Sequence, residues 1–177
     1  MQLKVYRCYF KDCIPPVPNI TQPAEAVDFH LATERPETFE RWSDPATWEG
    51  TEAGWGGNYG EGRKKRQAVY GPPRDGDNVR ILGGKWIVAD VERLYLNKLF
   101  IYGVLELDDG PEKSYTLSAH QILVQGGRLI IGWEDNPFQG TVRLLLRGHH
   151  LTPDMPLPNG PNLGAKALGC FRACDIH

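Results

Sequence analysis

Neither sign of charge is in marked excess in this chain: 20 Lys+Arg stand against 22 Asp+Glu over 177 residues, a formal net charge of -2. That balance lacks the field a dedicated nucleic-acid-binding or anionic-membrane-binding domain carries, so nucleic acid is not an expected partner. No run approaches the roughly 18 to 20 apolar residues of a membrane span, and the amino-terminal MQLKVYRCYFKDC lacks the apolar core of a signal peptide. Those two absences alone point to the cytosol. Long helices are disfavoured too, because 20 Gly and 14 Pro punctuate the chain. Cysteine is scarce, with four residues in two close pairs, Cys8 with Cys13 and Cys170 with Cys174. Neither spacing is CxxC, so a zinc ribbon or a thioredoxin-like motif fits poorly. Short disulfide loops in an oxidising compartment fit better, with free thiols the open alternative. Asn19-Ile20-Thr21 is a candidate glycosylation site in an extended segment set by Pro15, Pro16, Pro18 and Pro23.

What is present suffices for one packed domain: 41% hydrophobic and 10% aromatic residues. Residues 1–37 read as a short strand followed by a Pro-rich acidic linker, 38–170 as the domain, and 171–177 as a truncated tail. Residues 50–76 form a Gly-rich loop. Downstream the chain repeats itself. NVRILGGKWIV (78–88) maps onto QILVQGGRLII (121–131) at a constant offset of 43, placing Trp86 opposite Leu129, and KLFIYGVLEL (98–107) and RLLLRGHHL (143–151) supply two more copies. The glycines Gly83, Gly103, Gly126 and Gly148 step by 20, 23 and 22 residues, and Gly84 and Gly127 double two of them. Two apolar residues at period two followed by a glycine describe a strand and then a bend, or a close approach of neighbouring backbone. A step near 22 residues is too short for a βαβ unit. The expected fold is all-β, a right-handed parallel β-helix of about four short coils. An antiparallel β-sandwich is the alternative. In the β-helix, Val79, Leu99, Ile122 and Leu144 form one internal ladder and Ile81, Ile101, Val124 and Leu146 the next. An open stack needs covered ends, and RWSDPATWEG (41–50), with Trp42 and Trp48, is the candidate amino-terminal cap. At the other end, PNLGAKALGCF (161–171) reads as the start of another coil.

An ordered set of motifs runs through the same region: Trp42-Ser43-Asp44-Pro45 with Trp48, Gly54-Trp55-Gly56-Gly57, Pro73-Arg74-Asp75-Gly76-Asp77-Asn78-Val79, then LxIxGxLEL, IxVxGGxLxIG and LxLxG. Together they resemble the eight-glycine (G-eight) domain over about residues 38–170. PFQGTVRLLLRG (137–148) and PLPNGPNLGAKALG (156–169) look most like the fibrocystin and fibrocystin-like members. The resemblance implies large single-pass surface receptors in which further β-helix coils follow. The same domain opens the ectodomains of cell-migration-inducing and transmembrane hyaluronidases, which implies an extracellular, glycan-related setting. The loop Glu61 to Gln67 is longer than the family pattern, and the chain stops at FRACDIH (171–177) where the family continues, as a fragment or splice product would.

Candidate chemistry is sparse. Arg63-Lys64-Lys65-Arg66 is the one dense basic run, suited to a glycan carboxylate or sulfate, to convertase processing, or simply to a solvated loop. Asp75 and Asp77 flank Gly76 but lead straight into a strand, so a turn is preferred over a calcium site. Glu106, Asp108, Asp109, Glu134 and Asp135 are expected at corners between coils rather than as a catalytic pair. His149 and His150 with Asp154 lack a third spaced ligand, so no metal is expected, and no cofactor. Of the five Trp residues, 42, 48, 55, 86 and 133, any could stack on a sugar, but Trp86 is assigned to the core. The expected function is a non-catalytic, extracellular structural and ligand-binding module of a surface receptor, with a glycan or protein as ligand. The rival is the amino-terminal part of a hyaluronan-depolymerising enzyme.

Overall fold

The computed structural model describes residues 32–49, 71–156, 162–171 and 175–176. Twelve short strands carry the described chain, with no α-helix among the described residues: β1 (Glu40–Arg41), β2 (Asn78–Ile81), β3 (Trp86–Ala89), β4 (Arg93–Tyr95), β5 (Lys98–Ile101), β6 (Val104–Leu107), β7 (Ser114–Ala119), β8 (Gln121–Gln125), β9 (Arg128–Ile130), β10 (Thr141–Leu146), β11 (Ala167–Phe171) and β12 (Asp175–Ile176). They form three sheets, a five-stranded β1-β3-β6-β9-β12, a four-stranded β11-β8-β5-β2 and a three-stranded β10-β7-β4. From β2 onward the chain visits the four-stranded, the five-stranded and the three-stranded sheet in turn, then begins the circuit again. Every strand pair is parallel, so the antiparallel sandwich is set aside.

Alternation explains each strand. In the four-stranded sheet Val79, Leu99 and Ile122 stand in register, as do Ile81, Ile101 and Val124, and all six are fully buried. β-Branched and leucine side chains at every second position suit such a half-buried pleat. One core cluster gathers these residues with Ile87, Leu105 and Leu129 of the five-stranded sheet and Leu94, Leu117 and Ala119 of the three-stranded one. Two aromatic rings close its amino-terminal side. β1 pairs with Ile87 and Val88, and the 3-10 turn Pro45–Trp48 then folds Trp48 onto Trp42, ring centroids 4.9 Å apart and edge-on. The Trp48 Nε1–H donates to the Trp42 carbonyl at 2.8 Å.

Two parts of the ladder expectation are corrected. Leu144 and Leu146 are not the fourth rung of Val79 and Ile81. β10 pairs with β7, Leu144 opposite Leu117 and Leu146 opposite Ala119, and the fourth rung is Leu168 and Cys170 of β11. Gly148 is accordingly not equivalent to the other glycines: it follows β10, while Gly83, Gly84, Gly103, Gly126 and Gly127 lie where the chain passes from the four-stranded to the five-stranded sheet. The third sheet escaped the repeat because its short strands RLY and SYTLSA carry no glycine. Trp86 also moves by one residue, opposite Val104 and Arg128 rather than Leu129. The glycine corners differ in length, Leu82 to Lys85, then Tyr102-Gly103, then Gly126-Gly127, so a constant offset slips in the second strand of each copy. A slip of one residue exchanges the two faces of a strand.

Corner glycines answer two separate demands. Gly126 has φ +66°, left-handed backbone that a Cβ disfavours. At Gly103 an added Cβ would strike the carbonyl oxygens of Leu82 and Lys85, and at Gly127 those of Gly103 and Ile101. The corners stack backbone on backbone. Gly83 meets neither demand, which corrects its place as the first of the repeated structural glycines. Its φ lies outside the left-handed region, and a Cβ there would find only the Tyr102 carbonyl oxygen at 3.8 Å, an ordinary contact. Because this first corner is two residues longer than the Tyr102-Gly103 corner, the left-handed turn falls on Gly84 instead. The position before β3 that corresponds to Gly103 and Gly127 is Lys85, whose Nζ donates to Glu40 Oε2 at 2.8 Å and to the Thr47 carbonyl at 2.7 Å.

Candidate functional site

The outward positions of the five-stranded sheet, Trp86, Val88, Val104, Glu106, Arg128 and Ile130, are all buried although they point away from the core. Trp86, Val88, Val104 and Ile130 form a second apolar cluster, and Ala32, Phe39 and Trp133 cover it. At its centre is one carboxylate. Glu106 Oε2 accepts from Trp86 Nε1 at 2.7 Å, Oε1 accepts from Trp133 Nε1 at 3.1 Å, and Arg35 Nε lies 3.1 Å from Oε2. The two indoles stack nearly parallel, centroids 6.1 Å apart and planes 13° apart. Arg35 reaches on to Asp108 Oδ1 at 3.2 Å, and Lys113 Nζ approaches Asp108 Oδ2 at 3.7 Å. Arg128 donates to the Ala32 carbonyl at 2.7 Å.

A buried carboxylate among aromatic rings must have its oxygens satisfied, and here two indole N–H groups and a guanidinium do so. Burial by itself would lower the Arg35 guanidinium, but its hydrogen bonds to Glu106 and Asp108 and their charges outweigh that and hold it above its ordinary value. The arrangement is an anchor that fastens residues 32–39 across the sheet. A second tether binds the next stretch: the Ser43 Oγ–H and N–H donate to Asp90 at 2.6 and 3.0 Å. Burial pushes the Tyr115 hydroxyl up to about 12, with Asp108, Asp90 and Glu92 adding their charge, and that hydroxyl donates to the Ala89 carbonyl at 3.0 Å.

Glu106 is thus no corner residue, contrary to expectation. It occupies a buried position in β6, because the strand is covered on both faces. Arg35, assigned to the linker, was missed. Its signal was on the partner side: one charged residue in the otherwise apolar VLEL requires a cation or N–H donors nearby. Asp77 closes a turn, its Oδ2 accepting from the Arg74 N–H at 2.9 Å, and Gly76 within that turn has φ +86°. Asp109 Oδ1 accepts from the Gly110 and Gln139 N–H groups at 2.7 and 3.0 Å. His149 and His150 lie edge-on, 5.9 Å apart and exposed, and His149 Nδ1 accepts from the Leu151 N–H. No group of three or more His, Cys, Asp or Glu side chains is placed to hold a metal among the described residues. Cys170 is disulfide-bonded. The other cysteines, Cys8, Cys13 and Cys174, lie outside the described residues, as do Asn19, Trp55 and the basic run Arg63, Lys64, Lys65 and Arg66. Among the described residues no helix is long and apolar enough to cross a membrane.

Parallel ladders turned by glycine corners over one apolar core, with a tryptophan-bearing segment folded against the first of them, define the class: an all-β, glycine-cornered domain. The chain belongs to the G8 domain family, whose model matches residues 60–177. It is 40% identical to Fibrocystin-L of Homo sapiens over 185 aligned positions, which cover the whole of this chain but 4% of that protein. Fibrocystin-L of Mus musculus is 38% identical over the same span, and Fibrocystin of Mus musculus is 36% identical over 115 positions, 65% of this chain and 2% of that protein. The chain therefore spans a small fraction of the relatives it matches. No solved structure matches it.

Proposed function

We propose that this chain is a non-catalytic structural and ligand-binding module of a fibrocystin-like surface receptor, built as a right-handed parallel β-helix with an amino-terminal cap. The cyclic order of three parallel sheets supports the β-helix, and the burial of Trp42 and Trp48 against β3 supports the cap. The module takes in residues 38–170, with 32–37 fastened to it through Arg35 and 175–176 paired to β9. Its size beside its relatives supports a place within a larger extracellular protein, joined to further coils.

One observation carries the non-catalytic reading. Glycoside hydrolysis needs two carboxyl groups facing across a substrate groove, one to give and one to take a proton or bond. Glu106, the buried carboxylate of the described residues, has both oxygens occupied by indole N–H groups and Arg35, and Asp108 shares the same guanidinium. These groups hold the protein together. Ligand binding is assigned to anionic glycans, with the run Arg63 to Arg66 as one site and Asn19 as a glycan attachment point.

Incubation of the purified chain with high-molecular-weight hyaluronan tests the reading. The polymer is expected to keep its size on gel filtration. Shortened chains would replace the module by the hyaluronan-depolymerising alternative.

A further inference from the structure

The outward face of the three-stranded sheet carries three arginines that form no ion pair among the described residues. Arg93 of β4 and Arg143 of β10 both stand opposite Thr116 of β7, one to each side, and Tyr95 and Leu145 both stand opposite Ser118. Arg147 follows β10 and donates from its guanidinium to the Leu96 carbonyl at 2.7 Å. The Tyr95 ring has the Arg93 guanidinium 4.8 Å from its centroid and that of Arg147 at 5.8 Å. All three arginines are exposed, and among the described residues no ion pair joins any of them to a carboxylate. Two exposed carboxylates lie nearby: Asp75 lines one cavity with Arg93 and Tyr95, and Glu92 has the strand parity of buried Leu94, with its charge acting on Tyr115.

We infer that this face binds an extended sulfated polysaccharide. This deepens the ligand-binding reading above, on which it rests, and locates the ligand on a sheet rather than on the Arg63 to Arg66 run. Guanidinium forks pair with the oxygens of an oxyanion. Strand spacing sets Arg93 and Arg143 about 10 Å apart across the sheet, and Arg147 about 13 Å along the strand from Arg143. Those are backbone spacings; the side chains bring the Arg93 and Arg147 guanidiniums together on the Tyr95 ring, so a chain of oxyanions laid across the face meets more than one cation at once. The Tyr95 ring carries the Arg93 and Arg147 guanidiniums and so holds two of the cations in place, and Thr116 stands opposite both Arg93 and Arg143.

The test uses the full chain on immobilised heparin under a sodium chloride gradient, with calorimetric titration of heparin at several salt concentrations. A variant with Arg93, Arg143 and Arg147 all changed to Ala is expected to elute at clearly lower salt, and the slope of log affinity against log salt to fall by about 2. The single Arg143→Glu, at an exposed position, is expected to weaken binding on the order of tenfold and serves if the triple variant does not fold. Changing Arg63 to Arg66 to Ala should leave most of the retention. Loss of retention in that loop variant with none in the triple variant overturns the inference while the ligand-binding reading stands. A wild-type chain that is not retained overturns both. Equal affinity for polyglutamate, or for heparin stripped of its sulfates, overturns the assignment to a sulfated polysaccharide.

Discussion

Gly127 and Gly84 separate two reasons why a corner needs glycine. A Cβ at Gly127 would meet the backbone of Gly103, Ile101 and Tyr102 in the preceding circuit, the Ile101 oxygen at 2.8 Å, and backbone there cannot rotate away. Gly84 has φ +84°, but an added Cβ finds nothing within 4 Å. Gly127→Ala is therefore expected to cost about 3 kcal/mol, the magnitude of overpacking against a rigid neighbour. Gly84→Ala should cost only about 1 kcal/mol of backbone strain. Urea melts of the two variants decide it. Equal losses would mean that strain, and not contact between circuits, sets the requirement. At the same scale, Glu106 shows how an isolated acidic residue in an apolar strand acquires a structural role once two indoles and a guanidinium converge on it.

Among the elements, β1 is two residues long and pairs with β3 alone, so the tethers of the turn after it carry weight. Asp90 is one. Burial alone would raise its carboxyl, but hydrogen bonds from the Ser43 hydroxyl and N–H, its own N–H and the Arg41 charge hold it below the ordinary carboxylate value. A depressed folded-state value contributes stability that is present above the unfolded value, about 3.9, and is lost as the pH falls through the folded one. Asp90→Asn is thus expected to destabilise the chain by about 1 kcal/mol at pH 7. Its deficit against wild type should shrink below about pH 4. Urea titrations at pH 7 and pH 3 measure the difference, and a deficit independent of pH would remove the charge from the explanation. The segment 32–39 depends in the same way on Arg35, with the added effect that it covers apolar surface on the outward face of β3, β6 and β9.

For the whole molecule, burial is uneven along the stack. Leu117, Ile122 and Leu129 are wholly buried, while the residues opposite them on the outermost strands, Leu144, Leu168 and Ile176, are 36%, 41% and 39% exposed. Side chains with inward parity thus remain partly solvated where the described ladders end, beside strand edges whose backbone groups are open to pairing. A double variant, Leu144→Lys with Leu168→Lys, is expected to reduce concentration-dependent self-association in sedimentation velocity while leaving the midpoint of unfolding nearly unchanged. Identical sedimentation of variant and wild type would show that this end does not drive association. Further coils stacked on those three edges would bury the same side chains.

The sequence by itself determined three strands of the four-stranded sheet, β2, β5 and β8, their register from Val79 to Ile122, and the glycine bends after them. Period-two alternation and repeated glycines are local properties, readable without knowing what lies alongside. Family membership was legible for the same reason, as an ordered series of short motifs. Which glycine of a pair is required was not legible: Gly83 and Gly84 look alike in the chain, and only the backbone path makes the second left-handed and leaves the first with room for a side chain. The tertiary structure alone decided the third sheet, because Leu94 and Leu117 become a ladder only when strands 23 residues apart are laid side by side. It also decided the placement of Trp86, since corners of unequal length break the constant offset. The Glu106 anchor required both kinds of information: the lone carboxylate is visible in VLEL, but Arg35 lies 71 residues earlier in the chain. Only folding brings that guanidinium to the outward face of β6, where desolvation makes an unpaired carboxylate too costly to leave alone.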